Sequence, residues 1–401
     1  MPRRPSGDTA IGQRIRDRRE LLQWSVRHAA DRAGVAPSTW SRIEHGHISA
    51  DNRFTLASIA EALRCPVTDL TGLPQCPIDR EKAETGGAVY ETVRATIEAD
   101  LDYPPIAPPA PYAALSRELD LVCDLRARCQ YTAAAHRLPA LIRGLHSAAY
   151  GADRERALRG LILAAYTASF VIRYTGHPGS ACLIADRTRQ AAEMLEHPVM
   201  SGLAAFSRAH AAAGMALYPR TLQIAERAVC ELRRHAREPE APELLGQLLM
   251  TQAYALYGIG RTDDALEPVA EARAIAERTG ESPALRLMFG PTNINFWRIS
   301  MEADGEDPSR AVDIARRTRP HLVESTSRQV AFYLDTGRAL VRLGQDAEAL
   351  RMLLTAERLA PQRMRAPLVT ETVRGLLERA RRGGTGWTEL RGLCERIGVG
   401  S

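Results

Sequence analysis

From Ala113 to its last residue this chain is written at helical spacing. Apolar residues recur three and four positions apart in segments of about 12–22 residues, Gly or Pro separates the segments, and no run alternates as a strand would. The segments come in pairs. First helices are expected to begin near Ala152, Pro198, Ala241, Pro283 and Ser327, about 43 residues apart, and second helices near Gly179, Arg220, Thr262, Pro308 and Asp346. At the turns a glycine recurs with an alanine five positions on: Gly176 and Ala181, Gly260 and Ala265, Gly344 and Ala349, with Gly305 and Ala311 one position wider. The reason is steric. Glycine ends the first helix in a left-handed cap, and alanine lets the second lie close against it.

The last clear unit, Leu343-Gly344-Gln345-Asp346-Ala347-Glu348-Ala349-Leu350 followed by Ala356 and Pro361, resembles the second half of a tetratricopeptide repeat. The other units are looser and longer than the standard of about 34 residues. The expected architecture is all-α: a tetratricopeptide-like α-solenoid of six to seven helix pairs over residues 113–401, the alternative being an irregular all-α bundle. A solenoid of paired helices presents a long concave face suited to a peptide, a protein or a small ligand.

The first 72 residues are patterned differently. Ile11 to Leu22 carries apolar Ile11, Ile15, Leu21 and Leu22 with Arg14, Arg16, Arg18 and Arg19 between them, an amphipathic first helix. The segment from Ser25 to Glu44 then meets each steric demand of a helix-turn-helix. Ala30 is small where two helices cross, and Gly34 permits the positive φ of a tight turn. Val35, Trp40 and Ile43 face inward. Pro37 suits the first turn of a helix, where its missing N–H is not needed. Phe54 to Leu63, with Val67 and Leu70, supplies two more helices to close a five-helix core.

Over residues 9–72 the sequence resembles the Cro/phage-repressor (xenobiotic-response-element type) DNA-binding family. The resemblance implies that the second helix of the motif enters the major groove of double-stranded DNA with its N-terminal end toward the bases. Its exposed residues Ser38, Thr39, Ser41 and Arg42 are the candidate base readers, the arginine being able to hold guanine O6 and N7 in two bonds. Ser25, Arg27 and Arg53 stand where such domains grip phosphates. One departure is Val26, where the family often carries a glutamine that donates to a phosphate; Ser25 and Arg27 are then the substitutes.

Residues 73–112 read as a connector with one helix from Ala88 to Leu101 and the spacer Tyr103-Pro104-Pro105-Ile106-Ala107-Pro108-Pro109-Ala110-Pro111. Such a proline density cannot continue a helix and favours a stiff polyproline-II-like rod. The expected domains are therefore 1–72, 73–112 and 113–401.

Charge adds little to the argument for DNA. The chain holds 53 basic residues, of which Lys82 is the one lysine, and a net charge of +5. Residues 1–72 account for 11 arginines against 8 acidic residues. The seven cysteines show no C-x-x-C pair, which suits free thiols in a reducing cytosol, and Cys123 and Cys129 lack neighbours at metal-ligand spacing. No metal or cofactor is expected. No signal peptide, membrane span, nucleophile, paired carboxylates or phosphate loop is legible, so the expectation is a cytoplasmic protein that is not an enzyme.

Repressor-type domains joined to such arrays resemble the peptide-pheromone receptors of Gram-positive bacteria and, more closely, a large set of actinobacterial regulators often associated with specialised metabolism. The segment Phe289-Gly290-Pro291-Thr292-Asn293 looks like part of the latter group's C-terminal half. Of the three asparagines, Asn52, Asn293 and Asn295, two lie here. With Thr292 they are the candidate effector contacts. One reading has Pro291 bending a helix that runs from about Pro283 to Ala303 and freeing carbonyls for a ligand. The other has Pro291 starting a new helix, with the asparagines capping or bridging neighbours. The functional expectation is a transcriptional regulator, a homodimer on a pseudo-palindromic operator, controlled by a peptide or small-molecule effector. The alternative is an adaptor whose solenoid recruits a partner protein while DNA contact only localises it.

Overall fold

The computed structural model describes residues 11–72, 79–105, 110–380 and 386–399. Pro74, Pro77, Cys76 and the Ile106-Ala107-Pro108-Pro109 portion of the spacer lie outside the described residues. Among the described residues every regular element is a helix, and the one strand-like contact is an isolated antiparallel bridge between Ser282 and Phe289. None of these helices is long and apolar enough to cross a membrane.

The N-terminal five helices are α1 (Ile11–Leu21), α2 (Val26–Ala33), α3 (Pro37–Glu44), α4 (Arg53–Ala62) and α5 (Val67–Thr71). Ile11, Ile15, Ala29, Ala30, Trp40, Ile43, Leu56, Ile59, Leu63 and Leu70 close one core, with Leu22, Trp24 and Val26 at its edge. Leu21, expected on the apolar stripe, is instead 71% exposed. The turn between α2 and α3 is made by Gly34 at φ 64°, whose N–H returns to the Ala30 and Asp31 carbonyls. Gly12 marks where α1 meets α3: a Cβ there would stand 2.1 Å from the Ile43 carbonyl oxygen. The arginines of α1 have structural work. Arg14 donates to the Leu70 and Thr71 carbonyls and Arg18 to those of Leu63 and Arg64, satisfying the open ends of α5 and α4.

Next come α6 (Asp79–Glu98), α7 (Tyr112–Ala127), α8 (Tyr131–Ala148), α9 (Arg154–Tyr174), α10 (Pro178–Leu195), α11 (Pro198–Gly214), α12 (Tyr218–Arg233), α13 (Ala241–Gly258) and α14 (Leu266–Thr279). Helix α6 begins earlier than the Ala88 read from sequence. From α7 to α13 each helix packs on the next, and α7, α9, α11 and α13 also pack in series, which is the layering of a helix-pair solenoid. The turn glycines Gly176 and Gly260 sit at φ 95° and 77°, and Ala181 and Ala265 are buried where the second helix begins.

The remaining helices are α15 (Pro291–Asp304), α16 (Ser309–Arg317), α17 (Thr326–Arg342), α18 (Asp346–Leu359), α19 (Pro361–Met364), α20 (Pro367–Arg379) and α21 (Trp387–Ile397). Taken in chain order, α7/α8 through α17/α18 make six pairs and α20/α21 a seventh. The helix expected from Pro283 begins at Pro291. A 3-10 turn at Ala284–Arg286 precedes it, and Leu285, Arg286 and Met288 adopt φ of 49°, 58° and 55°. Pro291 therefore starts a helix and bends none, so the carbonyls that a kink would have freed do not arise.

The chain divides into two compact units that cut across sequence order. One comprises Met1–Pro77, Ile299–Arg316 and Val330–Ser401; the other comprises Ile78–Arg298 and Arg317–Gln329.

Candidate nucleic-acid interface

Helix α3 turns one face inward and leaves the other in solvent, as its spacing dictates. Trp40 and Ile43 are buried in the five-helix core; Ser38 and Arg42 are exposed, and Thr39 and Ser41 half-buried. The four candidate base readers thus fall on the rim and outer face of one helix. Pro37 occupies its first turn. At the start of α2, the Ser25 side chain accepts from the His28 N–H at 3.2 Å and Arg27 is exposed beside it. A helix N-terminus so capped points its free N–H groups outward, a setting that favours a phosphate.

What holds α3 rigid escaped the sequence reading. Glu44, at its last turn, is buried, and its carboxylate accepts from Trp40 Nε1 at 2.5 Å and from Arg19 at 2.6 and 2.8 Å. The Trp40–Glu44 spacing of one helical turn was its one local signal. A bidentate guanidinium compensates the buried charge and ties α1 to α3.

Arg53 has a different setting from the phosphate contact expected of it. Its Nε donates to Asp304 Oδ2 at 2.5 Å, and its Nη2 donates to the Ser300 carbonyl at 2.8 Å and to Asp335 at 3.2 Å. The neighbouring Asn52 caps α4 through Thr55 N–H at 2.8 Å while its amide donates to the Asp304 carbonyl at 2.6 Å. Arg338, 3% exposed, bonds Asp304, Asp335 and the Asp51 carbonyl, and Thr372 donates to Asp51 at 2.9 Å. Within this unit, then, the Asp51–Arg53 segment is fastened to the C-terminal end of α15 and to α17 and α20. Leu368 adds apolar contact to the five-helix core. Burial by itself would raise the Asp304 carboxyl, but Arg338 and Arg53 outweigh it and hold the group below the usual carboxylate range. The fastening uses the loop between α3 and α4 and leaves Ser38 and Arg42 in solvent.

The candidate effector residues do not share one face. Thr292 is buried and its N–H donates to Glu281 at 2.8 Å, satisfying an open donor at the start of α15. Asn293 is wholly buried and neither atom of its amide has a hydrogen-bond partner. Asn295 is half-buried.

The five helices, the glycine turn and the outward α3 surface define a helix-turn-helix domain, and residues 10–71 match the family model of that description. The chain therefore carries at its N-terminus a Cro/repressor-type helix-turn-helix, the module of a DNA-binding transcription regulator, followed by a long helical repeat region. Among solved structures the chain is similar to Bacillus thuringiensis PlcR, crystallised in complex with the peptide PapR7 and DNA. That similarity has 17% sequence identity and a TM-score of 0.30, covering 67% of this chain and 94% of that one. A comparison with curated proteins gives no match.

Proposed function

We propose that the protein regulates transcription by binding a pseudo-palindromic operator as a homodimer, with an effector held in the solenoid setting its affinity. The outward face of α3 supports this reading most: Ser38, Thr39, Ser41 and Arg42 line a helix whose opposite side is locked by Trp40, Ile43 and Glu44. Arg42 reads guanine, the three hydroxyls adapt to neighbouring bases, and Ser25 with Arg27 fixes register on the phosphates. Arg53 acts in a supporting role, holding the loop between α3 and α4 through Asp304. One such domain buries too little surface for tight specific binding, so two copies occupy half-sites about one DNA turn apart.

Selecting bound sequences from random duplexes with the purified full chain tests this. The expected yield is an inverted repeat whose half-site centres lie about 34–36 Å apart or a multiple of that. Recovery of no enriched sequence would overturn the proposal, and a single asymmetric site would overturn its dimeric part.

A further inference from the structure

The first helices of successive pairs gather three arginines among one set of aromatic rings and give them no acid. Arg126 of α7 lies over the Tyr166 and Phe170 rings of α9, 5.2 and 5.5 Å from their centroids. Arg173, in the last turn of α9, lies over Phe170 and Tyr174 at 5.1 and 4.8 Å. Arg328 of α17 stands 6.0 Å from the centre of the Trp297 ring of α15. His210 of α11 joins the two groups, 4.2 Å from Phe170 and 6.2 Å from Trp297. Tyr254 of α13 closes on Trp297 at 5.8 Å. All these residues belong to the same compact unit.

Several other arginines drawn out of full solvent in the described residues are paired, whereas Arg126, Arg173 and Arg328, each half-buried, are not. Arg19 has Glu44, Arg338 has Asp304, and Arg143 has Glu91 and Glu98. Among the described residues Arg126, Arg173 and Arg328 form no ion pair with any carboxylate. On α7, Asp120 and Asp124 pair with Arg286, which offers Arg126 only its backbone carbonyl, at 3.4 Å. Arg126 Nε is buried with no partner. Burial pulls the Arg328 guanidinium below its usual value, and Arg126 and Arg173 add to the pull against Tyr166 and Tyr174. Burial works against Arg126 as well, but Tyr166, Cys123 and Tyr131 outweigh it and hold that guanidinium above its own usual value. Burial, then Arg173, Arg328 and Arg126, pushes His210 well below the usual imidazole value and keeps it neutral.

Two further features point the same way. Asn293 stands one turn before Trp297 on the same face of α15, with its buried amide unpartnered. The loop that supplies the Arg286 carbonyl holds three non-glycine residues in the left-handed region, and such strain gathers where ligands are held. Half-buried guanidiniums without a counter-charge are unfavourable, and cation–π contact offsets this only in part. A planar oxyanion takes paired N–H donors from guanidiniums, and an apolar body attached to it packs along aromatic rings.

We propose that Arg126, Arg173 and Arg328, with Phe170, His210 and Trp297, form the binding site for an organic carboxylate with an apolar body. This rests on the effector reading above for its regulatory consequence. The carboxylate is that of a small aromatic acid or of a peptide C-terminus, and the test separates the two.

The experiment is thermal unfolding of the full chain without DNA, titrated with 2-naphthoate against neutral 2-naphthamide, and with a short leucine-ended peptide against its C-terminal amide. At least one acid should stabilise saturably and bind about tenfold or more tightly than its amide, since the amide lacks the charge-assisted bonds. Preference for naphthoate assigns a small acid; preference for the free-ended peptide assigns a peptide. Arg328→Met should erase that preference without lowering the melting temperature of the unliganded protein, because it removes a half-buried cation that has no acid partner and keeps an unbranched apolar stem over Trp297. Arg173→Met is the second variant should Arg328→Met not fold. Equal effects of acid and amide in both pairs, or a preference that survives these variants, overturns the proposal. The readout contains no DNA, so its failure leaves the operator selection standing, and a failed selection leaves this result standing.

Discussion

Replacing Asp304 with Asn keeps its shape and removes its charge, and the structure says where the loss falls. The carboxylate is 5% exposed as a residue and accepts from the Arg53 backbone N–H at 3.2 Å, from Arg53 Nε at 2.5 Å and from both terminal nitrogens of Arg338. In the variant the amide oxygen still accepts from one guanidinium while its N–H faces the other, and Asp335, at 3.1 Å from Arg338, is the one carboxylate left to the two arginines. Breaking a buried pair from one side destabilises by about 3–5 kcal/mol. Urea unfolding followed by circular dichroism reads this as a midpoint lowered by about 1 M or more, for a slope near ~3 kcal/mol/M. The sign with pH follows from the carboxyl being held below its ordinary value. Its contribution is fully present above the unfolded value of about 3.9 and lost as pH falls through the folded value. The gap between wild type and Asp304→Asn is thus widest near neutrality and narrows in acid. Wild-type stability in the variant at pH 7, or a gap constant down to acid, would refute this account of the Asp51–Arg53 anchor.

Gly12→Ala should destabilise by about 1–3 kcal/mol, since the new Cβ meets the Ile43 carbonyl at 2.1 Å and backbone must shift; an unchanged melting transition would show that α1 and α3 stand further apart. Burial, with Asp51 beside it, raises the Glu371 carboxyl against the opposing pull of Arg374. Its ionisation therefore lowers stability as pH rises through the folded value. Glu371→Gln should gain on wild type between pH 4 and 8, which denaturation at the two pH values checks, and a loss would contradict it. Arg27→Ala should weaken binding to all DNA sequences alike and reduce the slope of log K against log salt by about 1; an unchanged slope removes Arg27 from the phosphate set.

What the sequence made legible was local. Pro198, Ala241 and Asp346 begin helices at the residues expected, because a proline at the first turn or a turn glycine before it is a signal confined to a few positions. The outward set on α3 was legible for the same reason: once Trp40 and Ile43 face the core, helical geometry places Ser38 and Arg42 opposite. Of the two readings of the segment before α15, the one in which Pro291 starts a helix holds and the helix running from Pro283 does not: Ala284 to Met288 carry helix-like apolar spacing, yet tertiary packing breaks them. Phe289 is wholly buried against Gly246, where even a Cβ would stand 2.1 Å from the ring. Arg53 shows the same limit. Its acids lie some 250 and 280 residues away along the chain, and no local pattern distinguishes an anchor from a phosphate contact. The arginine–aromatic cluster gave no signal at all, since its members come from six helices and each one looks like ordinary core or ordinary surface.

In the function proposed above, α3 reads bases through Arg42. Fluorescence anisotropy on a duplex carrying the selected site, with wild type and Arg42→Ala side by side at fixed salt, decides whether it does. Specific affinity should fall by about 1–3 kcal/mol in the variant while far-ultraviolet circular dichroism and binding to shuffled duplex stay unchanged. Equal affinity of the two proteins for the selected site, or no preference of wild type for it over shuffled sequence, would contradict the claim.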